Sequence, residues 1–404
     1  MVAYGNYPQG QLFSPAFNTN VTPPTPANAY PSYPTPTQGE SLCNCPLIAG
    51  LASIAWVNRQ FILHNIAPAG IAGNYSVTFW DYPAAAYPPP VPVPGQGAGC
   101  QLNGLLGAAV AVPVTVSGTI PLLNASPVDP ATGMTCGAGS SNVNEIWPAL
   151  YEKAYAKFMM YKAQIPSHEK LNAAGNPSPL QIGDLANPAM DPNFGEVQNL
   201  TQVQWGGNAG VGLLYLTGLP CYAYNLNSAA FTPTGHINVA TPSVFTFIRN
   251  GFCRNTAVAP YGLNKTLYPL VAWTYLDGTQ PAGVAYNNGI IAGHCYAILG
   301  IMTVGASNYI ILRTTYGTGG IAVAAPNPNP LNLQPLVVAP AMTCYDALFT
   351  IGALAPFYPP TLLPHPNNIP INLTNGIFGI EASISCTNNL TTFQNYFSTI
   401  GWAD

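Results

Sequence analysis

Residues 290–301 read IIAGHCYAILGI, and residues 310–317 read IILRTTYG. Both are short apolar runs rich in Ile, Leu and Tyr, punctuated by glycine, which is the pattern of buried strands. The first carries His294, one of five histidines and the one that sits inside such a run. Taken alone, that position suits a core histidine satisfied by a backbone partner. Working outward, VGLLYLTG (211–218) and LYPLVAWTYL (267–276) have the same texture. Residues 209–404 therefore read as a β-rich lobe built around His294.

Upstream the texture changes. Residues 46–57, PLIAGLASIAWV, read as a buried helix. Pro46 sits where a helix begins, a position that tolerates the missing N–H. Residues 74–81, NYSVTFWD, alternate like a strand. Residues 83–141 are dominated by Pro, Gly, Ala and Val and read as an insertion with short strands. Cys100 and Cys136 both fall in it and are expected to pair, closing a loop that restricts the unfolded chain. Residues 144–162 carry Trp147, Leu150, Tyr151, Ala154, Phe158 and Tyr161 at helical spacing. Seven of the chain's 22 charged residues lie between Glu145 and Lys170, so this helix is expected to have an ordinary solvated face. Residues 38–208 form a helical lobe, and residues 1–37, rich in Pro, Asn, Tyr and Thr, an extended arm.

Composition limits the function. Of 404 residues 48% are apolar and 5% are charged, where about 25% charged is usual. Nine basic and 13 acidic residues give a net charge of −4. Nothing here could displace the counterions of a nucleic acid, nor form a polybasic membrane anchor. The apolar runs Leu47–Trp56 and Gly104–Val116 are too short to span a bilayer, and Gly289–Ala306 contains His294, so no membrane insertion is expected. The start, MVAYGNYPQGQLF, has neither a basic nor an apolar signal region, and no signal peptide is expected. So few carboxylates leave the surface charge nearly constant into acid. That suits an extracellular, cell-surface or virion assembly, with packing against copies or other subunits; ordinary cytosol, where net charge keeps proteins apart, is disfavoured.

Cys45 opens the first buried helix, where the helix dipole favours thiolate. A small buried hydrophobe is the plainer use of such a thiol. A cysteine at a helix start with a distant histidine on a strand is also the arrangement of thiol peptidases. Metal binding is the competing use of Cys43, Cys45, His294 and Cys295. Their spacing fits no common zinc pattern, and adjacent strand residues point to opposite faces, so no metal is expected. No phosphate-cradling loop and no G-x-S-x-G turn occurs. No cofactor is expected.

Five segments, in order, resemble the catalytic core of calpain-type cysteine peptidases. Gln38-Gly39, then Cys45 with LIAGLASIAW, resembles the stretch bearing the oxyanion glutamine and the nucleophile. NYSVTFWDY resembles the strand with its Phe-Trp pair. NEIWPALYEKAYAKF resembles the family's helix, LLYLTGLPCYAY the opening of its second lobe, and GHCYAILGI with IILRTTYG its histidine and asparagine strands. LTTFQNYFSTI (390–400) resembles the closing segment.

The resemblance implies a papain-like two-lobe α+β fold with the cleft between lobes, and a peptide or protein substrate. It makes Cys45 the nucleophile, His294 its base and Gln38 an oxyanion donor, and puts Thr314 at the family's asparagine position. The departures are pointed. Cys43-Asn44 replaces Gly-Asp, Pro46 replaces Trp, and Thr315-Tyr316 replaces Pro-Trp. The acidic calcium-binding clusters are not recognisable, so calcium independence is expected. Two readings follow: a calcium-independent thiol endopeptidase, or a structural subunit using a degenerate calpain-like fold.

Overall fold

Every one of the thirteen residues of helix Cys45–Val57 is buried, so this segment has no solvent face and must be wrapped by other elements. The computed structural model describes residues 3–6, 36–39, 42–83, 100–101, 108–122, 137–140, 145–193, 195–197, 210–226, 244–253, 264–281, 286, 290–304, 307–316, 377–382 and 393–403. In chain order come β1 (Ala3–Asn6), β2 (Pro36–Thr37), α1 (Cys45–Val57), α2 (Arg59–Asn65), β3 (Ile66–Pro68), β4 (Asn74–Asp81), β5 (Cys100–Gln101), β6 (Val110–Ser117), β7 (Thr119–Leu122), β8 (Gly139–Ser140) and α3 (Trp147–Ala163). Then follow β9 (Pro166–Leu171), β10 (Pro177–Pro179), α4 (Val211–Thr217), β11 (Cys221–Asn225), α5 (Val244–Phe252), β12 (Asn264–Thr274), β13 (Cys295–Val304), β14 (Ser307–Thr314), β15 (Ile377–Glu381), α6 (Phe393–Tyr396) and β16 (Phe397–Ala403).

The architecture is mixed α+β. Its centre is a seven-stranded antiparallel sheet in the order β15-β14-β13-β12-β16-β11-β5. Strand alternation sorts its side chains. Cys295, Ala297, Leu299 and Ile311 join the core that contains α1, α3 and α4. Tyr296, Ile298, Ile310 and Leu312 join a second core with α5 and α6. Helix α1 lies on the first face, against β12 and β13. Trp56 Nε1 donates to the Leu299 carbonyl at 2.7 Å, and Lys265 sits over the Trp56 ring at 4.6 Å, which pins the far end of α1 to the sheet. Residues 397–400 of the closing segment open β16, which lies between β12 and β11.

Helix α4 crosses α1 at glycines. A Cβ on Gly212 would lie 2.8 Å from the Pro46 carbonyl carbon, and one on Gly50 would lie 3.0 Å from Leu216 Cδ1. The start of α1 is thus set by backbone contact. The sequence reading of 211–218 as strand is corrected here. A seven-residue apolar run does not reveal its period, but Gly218, left-handed at φ 64°, caps a helix and stops it.

The solvated face expected for α3 is also corrected. Glu152, Lys153 and Lys157 are all buried. Strand β6 is the outer strand of the sheet β3-β4-β6, so half its backbone groups lack a neighbouring strand. Lys157 Nζ donates to the Thr115 carbonyl at 2.7 Å. Lys153 pairs with Asp191 at 2.7 Å and donates to Ser117 Oγ at 2.7 Å. The helix spends its charges closing that edge.

Within 83–141, β6 pairs with β4 along its length and buries Val112, Val114 and Val116, so this part of the insertion belongs to the core. Cys136 lies outside the described residues, and with it the expected Cys100–Cys136 pair. At both described ends of the 1–37 arm the chain pairs with itself, β1 with β7 and β2 with β8.

Candidate functional site

The start of α1 and the start of β13 meet. The backbone amide of Cys295, the residue after His294, lies by Cys45 and favours its thiolate. Helix α1 is buried at this end, and Cys45 is 5% exposed. Burial outweighs that backbone contact and pushes the thiol up to about 12. The dipole expected to favour thiolate is overridden by desolvation.

His294 is 3% exposed, and burial pushes its imidazole down to about 3. Its backbone is tied to Thr274: the His294 N–H donates to Thr274 Oγ1 at 2.8 Å, and its carbonyl accepts from the Thr274 N–H at 2.9 Å. Its ring is held on two sides. Tyr316 stacks on it at 4.8 Å, and Tyr296 meets it edge-on at 5.1 Å. Its Nε2 is 2.8 Å from Thr315 Oγ1. Cys45 and His294 are therefore a neutral thiol and a neutral imidazole on adjoining segments.

Thr315 passes the contact on. Its hydroxyl donates to Gln38 Oε1 at 2.9 Å, and Gln38 Nε2 donates to the Leu42 carbonyl. The Gln38 backbone N–H donates to the Thr315 carbonyl at 2.7 Å, and Arg313 Nη2 donates to the Pro36 carbonyl at 2.5 Å. Residues 36–38 are thereby laced to the end of β14.

The hydroxyl at the imidazole belongs to Thr315 and not to Thr314, the residue that the resemblance puts at an asparagine position. Alternation explains the shift. Thr314 shares its face with Leu312 and Ile310, in the core away from α1, and its Oγ1 accepts from the Tyr316 N–H at 3.4 Å. Thr315 shares its face with Ile311, on the α1 side.

The residue before Cys45 is tied to a second buried polar group. Asn44, the residue before Cys45, donates through Nδ2 to Glu152 Oε1, and Ala138 N–H donates to Glu152 Oε2 at 2.7 Å. Burial pushes the Glu152 carboxyl up to about 8 despite both bonds. The sequence signal for Glu152 was its place beside Tyr151 in an apolar stripe; nothing in the sequence alone tied it to Asn44, 108 residues earlier.

Among the described residues, no three His, Cys, Asp or Glu side chains gather as a metal ligand set. No helix among them is long and apolar enough to cross a membrane. No protein-family model matches the chain, and no curated protein matches it.

Proposed function

We propose that the chain is a calcium-independent, calpain-like thiol peptidase with a papain-like two-lobe core, acting in an extracellular, cell-surface or virion setting. The observation that carries this reading is the bonded series His294–Thr315–Gln38 beside the thiol at the head of α1. A base and an amide donor joined through one hydroxyl are two of the three groups that acyl transfer by a thiol requires, and Cys45 on the adjoining segment is the candidate for the third.

The chemistry starts from neutral partners. As Cys45 Sγ attacks a peptide carbonyl, His294 takes the thiol proton. Separate ionisation is unfavourable, with the thiol near 12 and the imidazole near 3, so attack and proton transfer are coupled. The Cys45 N–H and the second Gln38 Nε2 proton are the candidate donors to the oxyanion. The imidazolium then protonates the leaving amine, and water, activated by the same imidazole, hydrolyses the thioester.

The second reading, a structural subunit with a degenerate calpain-like fold, is favoured by burial: Cys45, His294 and Gln38 are each 5% exposed or less. A thiol-directed peptidase probe separates the two readings. Cys43 is exposed two residues from the nucleophile, so the test is run on a Cys43→Ser background. The peptidase reading expects probe adducts on Cys45 that vanish in Cys45→Ala and in His294→Ala. No labelling of the folded chain at acidic or neutral pH, beyond that of Cys45→Ala, supports the structural subunit.

A further inference from the structure

Leu42 offers Gln38 a carbonyl, which can only accept. The carboxamide must therefore present its NH₂ there; reversed, it would set two oxygens against each other. Gln38 Oε1 then faces Thr315 Oγ1 at 2.9 Å, and it too can only accept. Thr315 owns one hydroxyl proton and must spend it on Gln38. Its oxygen has only lone pairs left for the imidazole at 2.8 Å. The His294 proton consequently sits on Nε2. Nδ1 keeps its lone pair, with no hydrogen bond from the described residues.

We propose that Thr315 is the positioning residue of this site: through one hydroxyl it relays the sense of the Gln38 amide, fixed by the Leu42 carbonyl, into the tautomer of His294. It replaces in function the longer asparagine that the resemblance puts at Thr314, from the opposite face of the strand. Its effect on catalysis rests on the peptidase reading; its effect on the tautomer does not. Setting the tautomer matters because only a nitrogen bearing a lone pair can take the thiol proton. The sense of the amide matters because Nε2, and not Oε1, is then the atom on the side away from Thr315. Valine in place of Thr315 keeps the shape and removes the hydroxyl, leaving the imidazole N–H and Gln38 Oε1 buried without their partner.

The test is nitrogen-15 NMR of the full chain labelled at histidine, with the His294 signals assigned by their loss in His294→Gln. In the unmodified chain at neutral pH, His294 should be neutral with its proton on Nε2. Thr315→Ser should retain that pattern, and Thr315→Val should shift it towards a mixture of tautomers. A wild-type proton on Nδ1, or a Thr315→Val spectrum identical to wild type, overturns the proposal, and the first of these needs no variant to fold. Probe labelling of Cys45 gives the second readout. Thr315→Val should slow it by roughly 10- to 100-fold, the range set by burying an unsatisfied group, and Thr315→Ser should stay within a few-fold. If the wild-type chain labels no faster than Cys45→Ala, the peptidase reading fails, while the tautomer measurement still decides the role of Thr315.

Discussion

His294 and Tyr316 lie ring on ring, centroids 4.8 Å apart and planes 1° from parallel. Register produces the contact. Tyr296 pairs with Thr314, and two further steps along both strands bring position 294 opposite position 316. The phenol covers one face of an imidazole whose burial holds it near 3. Tyr316→Ala should admit water to that face and move the His294 titration up towards 6.5, read by NMR across pH. Tyr316→Trp, which restores the residue type of the calpain pattern, should leave it low. An unmoved midpoint in Tyr316→Ala would show that other walls of the site keep the ring dry.

Two buried groups shape stability against pH in opposite directions. Glu152 is raised from 4.5 to about 8, so between those values the folded chain holds a proton that the unfolded chain has released. Its stabilising contribution is complete below about pH 4.5 and is lost as pH rises towards 8. His294 is lowered from 6.5 to about 3, so in that window the unfolded chain holds the extra proton. Its contribution is complete above about pH 6.5 and is lost as pH falls towards 3. Each effect is on the order of a few kcal/mol. The few carboxylates alone predict a flat profile; these two groups predict a plateau between about pH 4.5 and 6.5, falling on both sides. Denaturant unfolding from pH 3 to 8 measures it, and Glu152→Gln should remove most of the alkaline fall.

The elements that surround the site were legible where a period or a cap marked them. Helix α1 follows from an apolar run led by Pro46, β4 from strict alternation, and α3 from a stripe starting at Trp147. What failed to show was the direction of side chains once elements packed. The charges of α3 looked solvated because helix periodicity says which face is apolar. It does not say that an open strand edge waits on the other side for Lys153 and Lys157.

The site was partly legible for the same reason. Cys45, His294 and Gln38 carry recognisable chemistry, and the structure brings the Cys45 and His294 segments together and bonds His294 to Gln38 through Thr315. Thr315 was hidden because a linear match assigns roles by position, whereas a strand assigns them by face. A shift of one residue exchanges the α1 side of the sheet for its opposite. Glu152 was hidden because its side-chain partner, Asn44, lies 108 residues earlier in the chain and its other donor is a backbone N–H, that of Ala138, which carries no sequence signature.

The approach of α4 to α1 gives a mechanical prediction. A methyl on Gly212 would meet the backbone of Pro46, with the Pro46 carbonyl carbon 2.8 Å away, and a backbone neighbour cannot swing aside. Gly212→Ala should therefore push the head of α1 outwards and cost about 1–3 kcal/mol. Thermal unfolding should show the loss, and alkylation of Cys45 should quicken because its cover is disturbed. A fall in stability with unchanged Cys45 reactivity would mean that α4, and not α1, yields.

Thiol chemistry offers the most direct check on the electrostatics. Among the described cysteines Cys43 is exposed, whereas Cys45, Cys221, Cys253 and Cys295 are buried. Burial pushes Cys45, Cys221 and Cys253 up to about 12 and Cys295 well above its usual value. The thiolate is the reactive species, so at pH 7 Cys45 presents it in roughly one molecule in 10⁵. Of these five cysteines a small alkylating reagent should modify Cys43 first, as followed by mapping of its own peptide, and Cys43→Ser should remove that adduct while leaving the slow modification of the other four in place. Peptide mapping with time should find Cys45 modified far more slowly than Cys43 in the folded chain, and as fast as the others once the chain is unfolded. Rapid modification of Cys45 in folded Cys43→Ser, with His294→Ala slowing it, would instead reveal a thiolate–imidazolium pair and a wetter site than the one described.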